Sequence, residues 1–248
     1  MRIPVITGVI KRRLLVNFRA RPEVVQRLLP SPFRPKLHGG HAIIGVCLIR
    51  LEQMRPAGLP AFLGLASENA AHRIAVEWTD EQGALREGVF VPRRDTDSSL
   101  NRLAGGRAFP GEYQPARFDV TDDGCHIHFA MESLDHHVSV RLDGTVADAL
   151  PSGSCFASLA DSSAYFEGGS LGYSVTREAG RFDGMRLHTS EWPVAPLAVD
   201  SVHSSFFADR QHFPEGSVVF DHALIMRDLP HEWHGTGSLH GAIKRDNI

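Results

Sequence analysis

The chain has 248 residues, of which 26 are Lys or Arg and 29 are Asp or Glu, so its formal net charge at pH 7 is -3. A slightly acidic chain lacks the concentrated basic surface that phosphate binding needs, which argues against a nucleic-acid partner. With 42% hydrophobic residues and no stretch near ~20 consecutive apolar residues, we predict a soluble, cytoplasmic protein without a membrane partner.

The first elements predicted along the chain are long and apolar. Residues 13–18 predict a strand, and residues 22–29 predict a short amphipathic helix that starts at Pro22 and stops before Pro30. Residues 41–51 form a β-branched run that is apolar enough to be buried on both faces of a sheet. Residues 54–64 carry two prolines and two glycines, which predicts a loop.

The rest of the chain predicts mainly short strands separated by turn signals. Strands are predicted at residues 73–78, 88–91, 116–120, 126–131, 138–142, 185–189 and 217–226, and helices at residues 98–103, 155–166 and 199–207. Closely spaced strands joined by such turns favour antiparallel pairing over parallel crossovers. We therefore predict an α+β fold dominated by antiparallel sheet, in one domain over residues 1–248, with a polar C-terminal tail from about residue 231.

Fourteen histidines and three cysteines could carry chemistry. His126 and His128 alternate on a predicted strand and would share one face, as a metal-binding pair can. The sequence nominates no third ligand, so exposed or hydrogen-bonded histidines are favoured, and we predict no metal and no other cofactor. Cys155 is read as a buried structural cysteine, with a helix-start thiol of lowered pKa as the alternative.

The densest polar stretch covers residues 92–107. It holds four arginines, including Arg93, Arg94 and Arg107, together with Asp95. Such a stretch is either a solvated ion-pair surface or an anion-recognition segment, because arginine suits two-point recognition of a carboxylate.

Four segments together resemble the DUF2071 family, which is similar to acetoacetate decarboxylase. They are LLVNFRARPEVVQRLLP, HGGHAIIGVCLIRLEQMRPAGLP, GLASEN and VPRRDTDSSLNRLAGGRAFPGEYQPARF, and later segments such as GYSVT fit as well. The resemblance implies a large, strongly bent antiparallel sheet that forms a cone-like barrel around a central cavity, with short helices outside.

The decarboxylases use a lysine pair, in which one lysine attacks the substrate ketone and the other lowers its pKa. In this chain the pair falls on about Gln114 and Pro115, or on Tyr113 and Gln114 if the loop shifts by one residue. Neither alignment supplies an amine. The resemblance therefore implies that Schiff-base decarboxylation is lost, unless Lys11 substitutes.

Two further positions follow from the resemblance. A glutamate that shapes the decarboxylase cavity falls near Glu68, and a basic residue that engages the substrate carboxylate falls near Lys11, with Arg13 on the same face of the strand. The alternatives are an ion pair between Glu68 and Arg73 or a surface charge for Glu68, and an edge lysine for Lys11.

Two functional hypotheses remain open. In the first, the protein is a cofactor-independent enzyme for a small carbonyl or carboxylate compound. Glu68 and Tyr113 would be its catalytic groups, and its substrate-binding groups would be Lys11, Arg13, Arg93, Arg94, Arg107 and Gln114. In the second, it is a non-catalytic barrel that binds a small anionic or amphipathic metabolite. The sequence leaves the oligomeric state open, a homo-oligomer included.

Overall fold

The computed structural model describes residues 4–104 and 111–241. Over these residues the chain forms fourteen strands, four α-helices and one short 3-10 helix. The strands are β1 (Ile6–Ala20), β2 (Arg34–Pro35), β3 (Leu37–His38), β4 (His41–Pro56), β5 (Leu65–Thr79), β6 (Leu85–Thr96), β7 (Gln114–Asp122), β8 (His126–Ser133), β9 (Ser139–Val146), β10 (Leu171–Val175), β11 (Arg181–Thr189), β12 (Ala195–Ser204), β13 (Val218–Gly235) and β14 (Leu239–His240). The helices are α1 (Pro22–Leu28), α2 (Ser99–Ala104), α3 (Leu159–Gly168) and α4 (Ser205–Ala208), and the 3-10 helix is Ala61–Leu63.

The strands belong to one large bent sheet that closes on itself. Its neighbour order is β14-β11-β10-β6-β7-β8-β9-β12-β13-β1-β4-β5-β2, and β5 also pairs with β6, which closes a ring. The end of β13 pairs with β11 as well, so the sheet branches there. The predicted α+β class with a large bent sheet is confirmed. Most pairings are antiparallel, but β6 pairs in parallel with β7 and with β10.

The long strands β1 and β4 are buried on both faces, as the apolar run at residues 41–51 predicts. Alternate residues serve two hydrophobic clusters on opposite faces of the sheet. Leu14 and Ile44 belong to the first cluster, and Leu15, Ile43 and Cys47 belong to the second. The faces of the sheet are named below after these two clusters.

The structure corrects the helix predicted at residues 199–207. Most of that segment belongs to β12, which pairs with β9, and only Ser205–Ala208 is helical. The register shifts between Val199 and Ser201, so the next apolar residue, Val202, comes after three residues rather than two. This bulge gives a strand the spacing of a helix.

Three predicted boundaries are also corrected. The loop expected from residue 54 begins later, because β4 continues to Pro56 and pairs there with Ile6. The helix expected from residue 155 begins at Leu159, where the Ser158 side chain accepts a hydrogen bond from the Asp161 amide and caps it. Residues 231–235 of the expected tail are instead the last part of β13, which pairs with β1 and β11.

Candidate functional site

A cavity of about 270 Å³ opens on the second-cluster face of the sheet. Its floor comes from β1, β4 and β5, and it is closed by the end of β6, by α2 and by residues from β11 and β13. Most of its wall is apolar. The apolar side chains include Ile49, Leu51, Met54, Leu65, Leu100, Met185 and Trp233. Its polar side chains are Arg13, Cys47, Ser67, Asn69, Arg94, Ser98, Asn101 and Tyr113.

Arg13 is a half-buried cation at the wall of this cavity. Its Nε lies 3.2 Å from the Sγ of Cys47, and its guanidinium carbon lies 5.3 Å from the centre of the Trp192 ring. Among residues 4–104 and 111–241 it forms no ion pair with an Asp or Glu. The guanidinium is therefore held by a thiol, by the Met226 Sδ at 4.0 Å and by an aromatic face, which leave most of its hydrogen-bonding capacity unused.

Arg94 is the second guanidinium at the cavity. Its Nε donates to the Ser174 Oγ at 3.0 Å, and its guanidinium carbon lies 5.7 Å from the centre of the Tyr113 ring. It too has no carboxylate partner within the described part of the chain. Arg93, the preceding residue, points to the other face and is bound by Asp95 and Asp135 at 2.8 and 3.1 Å.

A cluster of small polar side chains joins β5 to α2 at the cavity. Asn69 Nδ2 donates to Ser67 Oγ at 2.9 Å, and Asn101 Nδ2 donates to both Ser67 Oγ and Asn69 Oδ1 at 3.2 Å. Thr96 Oγ1 adds a hydrogen bond to Asn69 Oδ1 at 2.8 Å. Sequence reasoning missed this cluster, although the alternation of Ser67 and Asn69 along a strand is a signal that both face the same side.

Glu68 lies on the opposite face from the cavity. It is 8% exposed, and its two carboxylate oxygens accept hydrogen bonds from Arg12 Nη2 at 2.9 and 2.8 Å. Burial raises the pKa of Glu68, while the Arg12 guanidinium opposes that rise. The structure therefore does not bring Glu68 together with Tyr113, and its ion-pair partner is Arg12 rather than Arg73.

Lys11 and Arg13 do not share a face, contrary to the expectation. Lys11 is exposed, and its Nζ binds the Asp228 carboxylate at 2.5 Å, which raises the pKa of the lysine. The reason is a bulge: the β1–β4 register shifts between Ile10 and Arg12, so Lys11 is the extra residue and the alternation restarts after it. Arg13 therefore faces the cavity with Ile10 on its side of the sheet.

The remaining predicted residues are divided between two places. Tyr113 lines the cavity, whereas Gln114 lines a separate cleft together with Arg93 and Asp209; Arg94 borders both spaces. In that cleft Asp209 and His212 bind each other at 2.7 Å. Arg93 is likewise paired, with Asp95 and Asp135. Arg107 lies outside the described residues. Of the predicted site residues, the structure thus brings together Arg13, Arg94 and Tyr113.

Comparison with known families decides the relationship of the chain. The model of the DUF2071 family, described as an uncharacterized conserved protein, matches residues 9–224. The chain belongs to the DUF2071 family. No curated protein sequence matches this DUF2071 chain.

Several solved structures resemble this DUF2071 chain in fold. Acetoacetate decarboxylase from Legionella pneumophila has a TM-score of 0.57 at 10% identity, over 97% of this chain and 87% of that one. An acetoacetate decarboxylase-like enzyme from Sphingomonas wittichii RW1 has a TM-score of 0.57 at 13% identity, over 100% and 95%. The enduracididine biosynthesis enzyme MppR, complexed with pyruvate, has a TM-score of 0.58 at 13% identity, over 97% and 91%. At these identities the likeness establishes the acetoacetate decarboxylase-like fold alone.

The histidine pair of this DUF2071 chain lies on the outer surface of β8. His126 is exposed, and His128 Nδ1 lies 2.6 Å from the Asp143 carboxylate. In residues 4–104 and 111–241, no group of three or more His, Cys, Asp or Glu side chains is arranged to hold a metal ion. No helix in the same residues is long and apolar enough to cross a membrane.

Cys155 precedes α3 by four residues and is not a helix-start thiol. Burial, together with the nearby Asp221 carboxylate, raises the pKa of Cys155 to about 12. The raised pKa speaks against the alternative of a lowered one, and the cysteine is partly buried rather than buried as predicted.

A buried Ser–His–Asp chain escaped the sequence analysis. His222 Nε2 lies 2.8 Å from Ser162 Oγ, and His222 Nδ1 lies 2.7 Å from Asp221 Oδ1. These contacts resemble those of a hydrolytic triad. However, Ser162 and His222 are both 0% exposed, so no substrate reaches the hydroxyl. The chain of hydrogen bonds instead joins α3 to β13.

Proposed function

We propose that this DUF2071 chain binds a small carboxylate-bearing molecule in the cavity on the second-cluster face. The observation that carries the proposal is the pair of guanidinium groups, Arg13 and Arg94, that border one cavity without a carboxylate partner in the described chain. Both arginines were predicted as substrate-binding residues from the sequence.

Charge and hydrogen bonding favour an anionic ligand. A partly buried cation without a counterion is unfavourable, and a bound carboxylate would supply both a counterion and hydrogen-bond acceptors. Tyr113 and the Ser67–Asn69–Asn101 cluster add neutral polar groups that can fix the orientation of a ligand. Such a small number of polar groups in an apolar wall is typical of small-molecule sites.

Size and wall composition limit the class of ligand. A volume of about 270 Å³ lies just below the ~300–1,000 Å³ common for ligand pockets. It suits a metabolite with a short apolar part, which would contact Leu51, Leu65 and Trp233. MppR, a fold neighbour whose structure is complexed with pyruvate, supports a small anionic ligand for this fold.

An enzyme for a small carbonyl compound is the second candidate, and Tyr113 is the observation in its favour. In the second of the two alignments implied by the family resemblance, Tyr113 falls at the lysine pair, and its side chain faces the cavity beside the Arg94 guanidinium. Of the described cavity-lining residues, none is Lys, His, Asp or Glu. Any proton transfer would therefore fall to Tyr113 or to the Cys47 thiol, which makes binding the better-supported function.

Ligand screening with matched variants tests the proposal. A thermal-shift panel would compare short carboxylic, 2-oxo and 3-oxo acids with their uncharged amides. For the best acid, Arg13→Gln and Arg94→Gln should each raise the Kd by about 10–100-fold, the value of one charge-assisted contact. Arg117→Gln is the control, because Arg117 is exposed on β7 and away from the cavity.

The same experiment separates the two candidate functions. NMR of the best acid with catalytic amounts of protein would detect conversion. Binding without product supports the proposal, and product formation that Tyr113→Phe abolishes supports the enzyme. If amides bind as tightly as acids, or if both cavity variants bind like wild type, the proposal is wrong.

A further inference from the structure

A second, much smaller chamber lies beside the cavity, between the sheet and α3. Its volume is about 30 Å³, and Arg13, Lys36, Arg73, Tyr165 and Phe166 are among its walls. Arg13 borders both spaces. A chamber of this size can hold a water molecule or a monatomic ion, because one water needs ~10–15 Å³.

Arg73 is the unusual group in this chamber. It is 4% exposed, and its Nη2 donates to Asn17 Oδ1, but its buried Nε has no hydrogen-bond partner in the described structure. Its guanidinium carbon lies 4.7 Å from the centre of the Phe166 ring. Within residues 4–104 and 111–241, no carboxylate forms an ion pair with it.

The surroundings of Arg73 increase the excess of positive charge. Arg13 adds a second guanidinium with no carboxylate partner in the described chain, and Lys36 adds an ammonium group. The nearby Glu87 binds Lys36 at 2.7 Å and so neutralises that group only. Burial lowers the pKa of Arg73 to about 10, which leaves the guanidinium charged at neutral pH.

We propose that the chamber is a binding site for a halide-sized inorganic anion, held by the unpartnered Nε–H of Arg73 and by the charge of Arg13. The anion satisfies a buried donor and neutralises a buried cation at the same time. A water molecule satisfies the donor but leaves the charge uncompensated. The small volume and the ring walls of Tyr165 and Phe166 favour a compact anion over a larger organic acid.

Bromide provides a direct probe with the unmodified protein. Crystals grown or soaked in sodium bromide should show an anomalous scattering peak within hydrogen-bond distance of Arg73 Nε. Density at that place without anomalous signal identifies a water molecule and overturns the proposal. So does an empty chamber at saturating bromide.

Thermal unfolding provides the solution test. At constant ionic strength, replacing sodium gluconate by sodium chloride should raise the Tm by about 3 °C, as expected for an anion present at several times its Kd. Arg73→Met should abolish this dependence, and Arg117→Met, an exposed control, should retain it. Equal Tm values of wild type in the two salts would contradict the proposal, and if Arg73→Met does not fold, the bromide crystals decide alone.

This inference shares Arg13 with the proposed function, but the two can be tested separately. Carboxylate binding in the large cavity can be measured in gluconate without any halide. If the wild-type protein binds carboxylates but no halide, the chamber proposal alone is overturned. If it binds halide but no carboxylate, the cavity proposal alone is overturned.

Discussion

Asp221 is the residue whose removal should most clearly separate a structural network from a catalytic one. Its side chain is 1% exposed. Oδ1 binds His222 Nδ1 and accepts from Ser154 Oγ, both at 2.7 Å, and Oδ2 accepts from the Cys155 amide at 2.9 Å and from Arg19 at 3.4 Å. Burial alone would raise the pKa of Asp221, but the hydrogen bonds from His222, Ser154 and Cys155 hold it well below its usual range.

The cost of Asp221→Asn follows from these contacts. The asparagine side chain keeps one oxygen that accepts from His222 and Ser154. Its NH2 group then faces the backbone N–H of Cys155 and the Arg19 guanidinium, which are both donors. Two charge-assisted hydrogen bonds are lost and a buried donor is left unpaired, so we expect the free energy of unfolding to fall by about 3 kcal/mol. For a chain of this length that lowers the Tm by about 6–12 °C.

Urea denaturation of wild type, Asp221→Asn and the exposed control Asp200→Asn measures this difference. The sign of its pH dependence is fixed, because the pKa of Asp221 is lower in the folded state than its unfolded value of about 3.9. The stability from the ionised group is complete above that value and is lost as the pH falls through the folded pKa. The stability gap between Asp221→Asn and wild type should therefore shrink below about pH 4. Unchanged stability of Asp221→Asn at pH 7, or loss of an activity without loss of stability, would refute the structural role.

Three further predictions concern single groups. Burial lowers the pKa of His72 to about 3 and that of His231 to about 4. Below about pH 6.5 the unfolded chain therefore binds protons that the folded chain does not. The free energy of unfolding should then fall by ~1.4 kcal/mol per pH unit for each histidine. Urea titrations from pH 7 to pH 4 should show this decline, with a smaller slope in His72→Gln, and a flat profile would contradict it. Incubation with keto acids and borohydride should leave Lys11 without a mass adduct, since Lys11 is exposed and bound to Asp228; an adduct there would restore Schiff-base chemistry. Iodoacetamide at pH 8 should modify the exposed Cys125 and spare Cys155, as mass spectrometry would detect; equal labelling would contradict the raised pKa of Cys155.

Sequence patterns predicted the fold well where burial is regular. The apolar run of β4 predicted a strand buried on both faces, and the closely spaced strands separated by turns predicted a mainly antiparallel sheet. The failures occur where a bulge changes the alternation. Lys11 and the Val199–Ser201 region both interrupt the two-residue period, and a period-based argument then places later side chains on the wrong face or in a helix.

The candidate site was only partly predictable for a related reason. Arg13, Arg94 and Tyr113 were named from the sequence, and they meet at one cavity. Glu68 was placed with them by the family resemblance, but on β5 the cavity takes Ser67 and Asn69, so Glu68 between them must face the other way. The buried Arg73 chamber and the Ser162–His222 contact join segments far apart in the chain, which no local pattern reveals.

Two pairs of consecutive arginines each contain one guanidinium in an ion pair with the chain and one without a carboxylate partner in the described residues. Arg12 and Arg13 lie on β1, and Arg93 and Arg94 lie on β6. Because neighbouring residues of a strand point to opposite faces, each pair sends one guanidinium to the first-cluster face and one to the cavity. Carboxylates of the chain bind the first member of each pair, at 2.8 Å in both cases. The second members face one cavity and find no carboxylate in the described chain. Arg12 and Arg93 thus have counterions from the chain, whereas for Arg13 and Arg94 we propose that the ligand supplies the carboxylate.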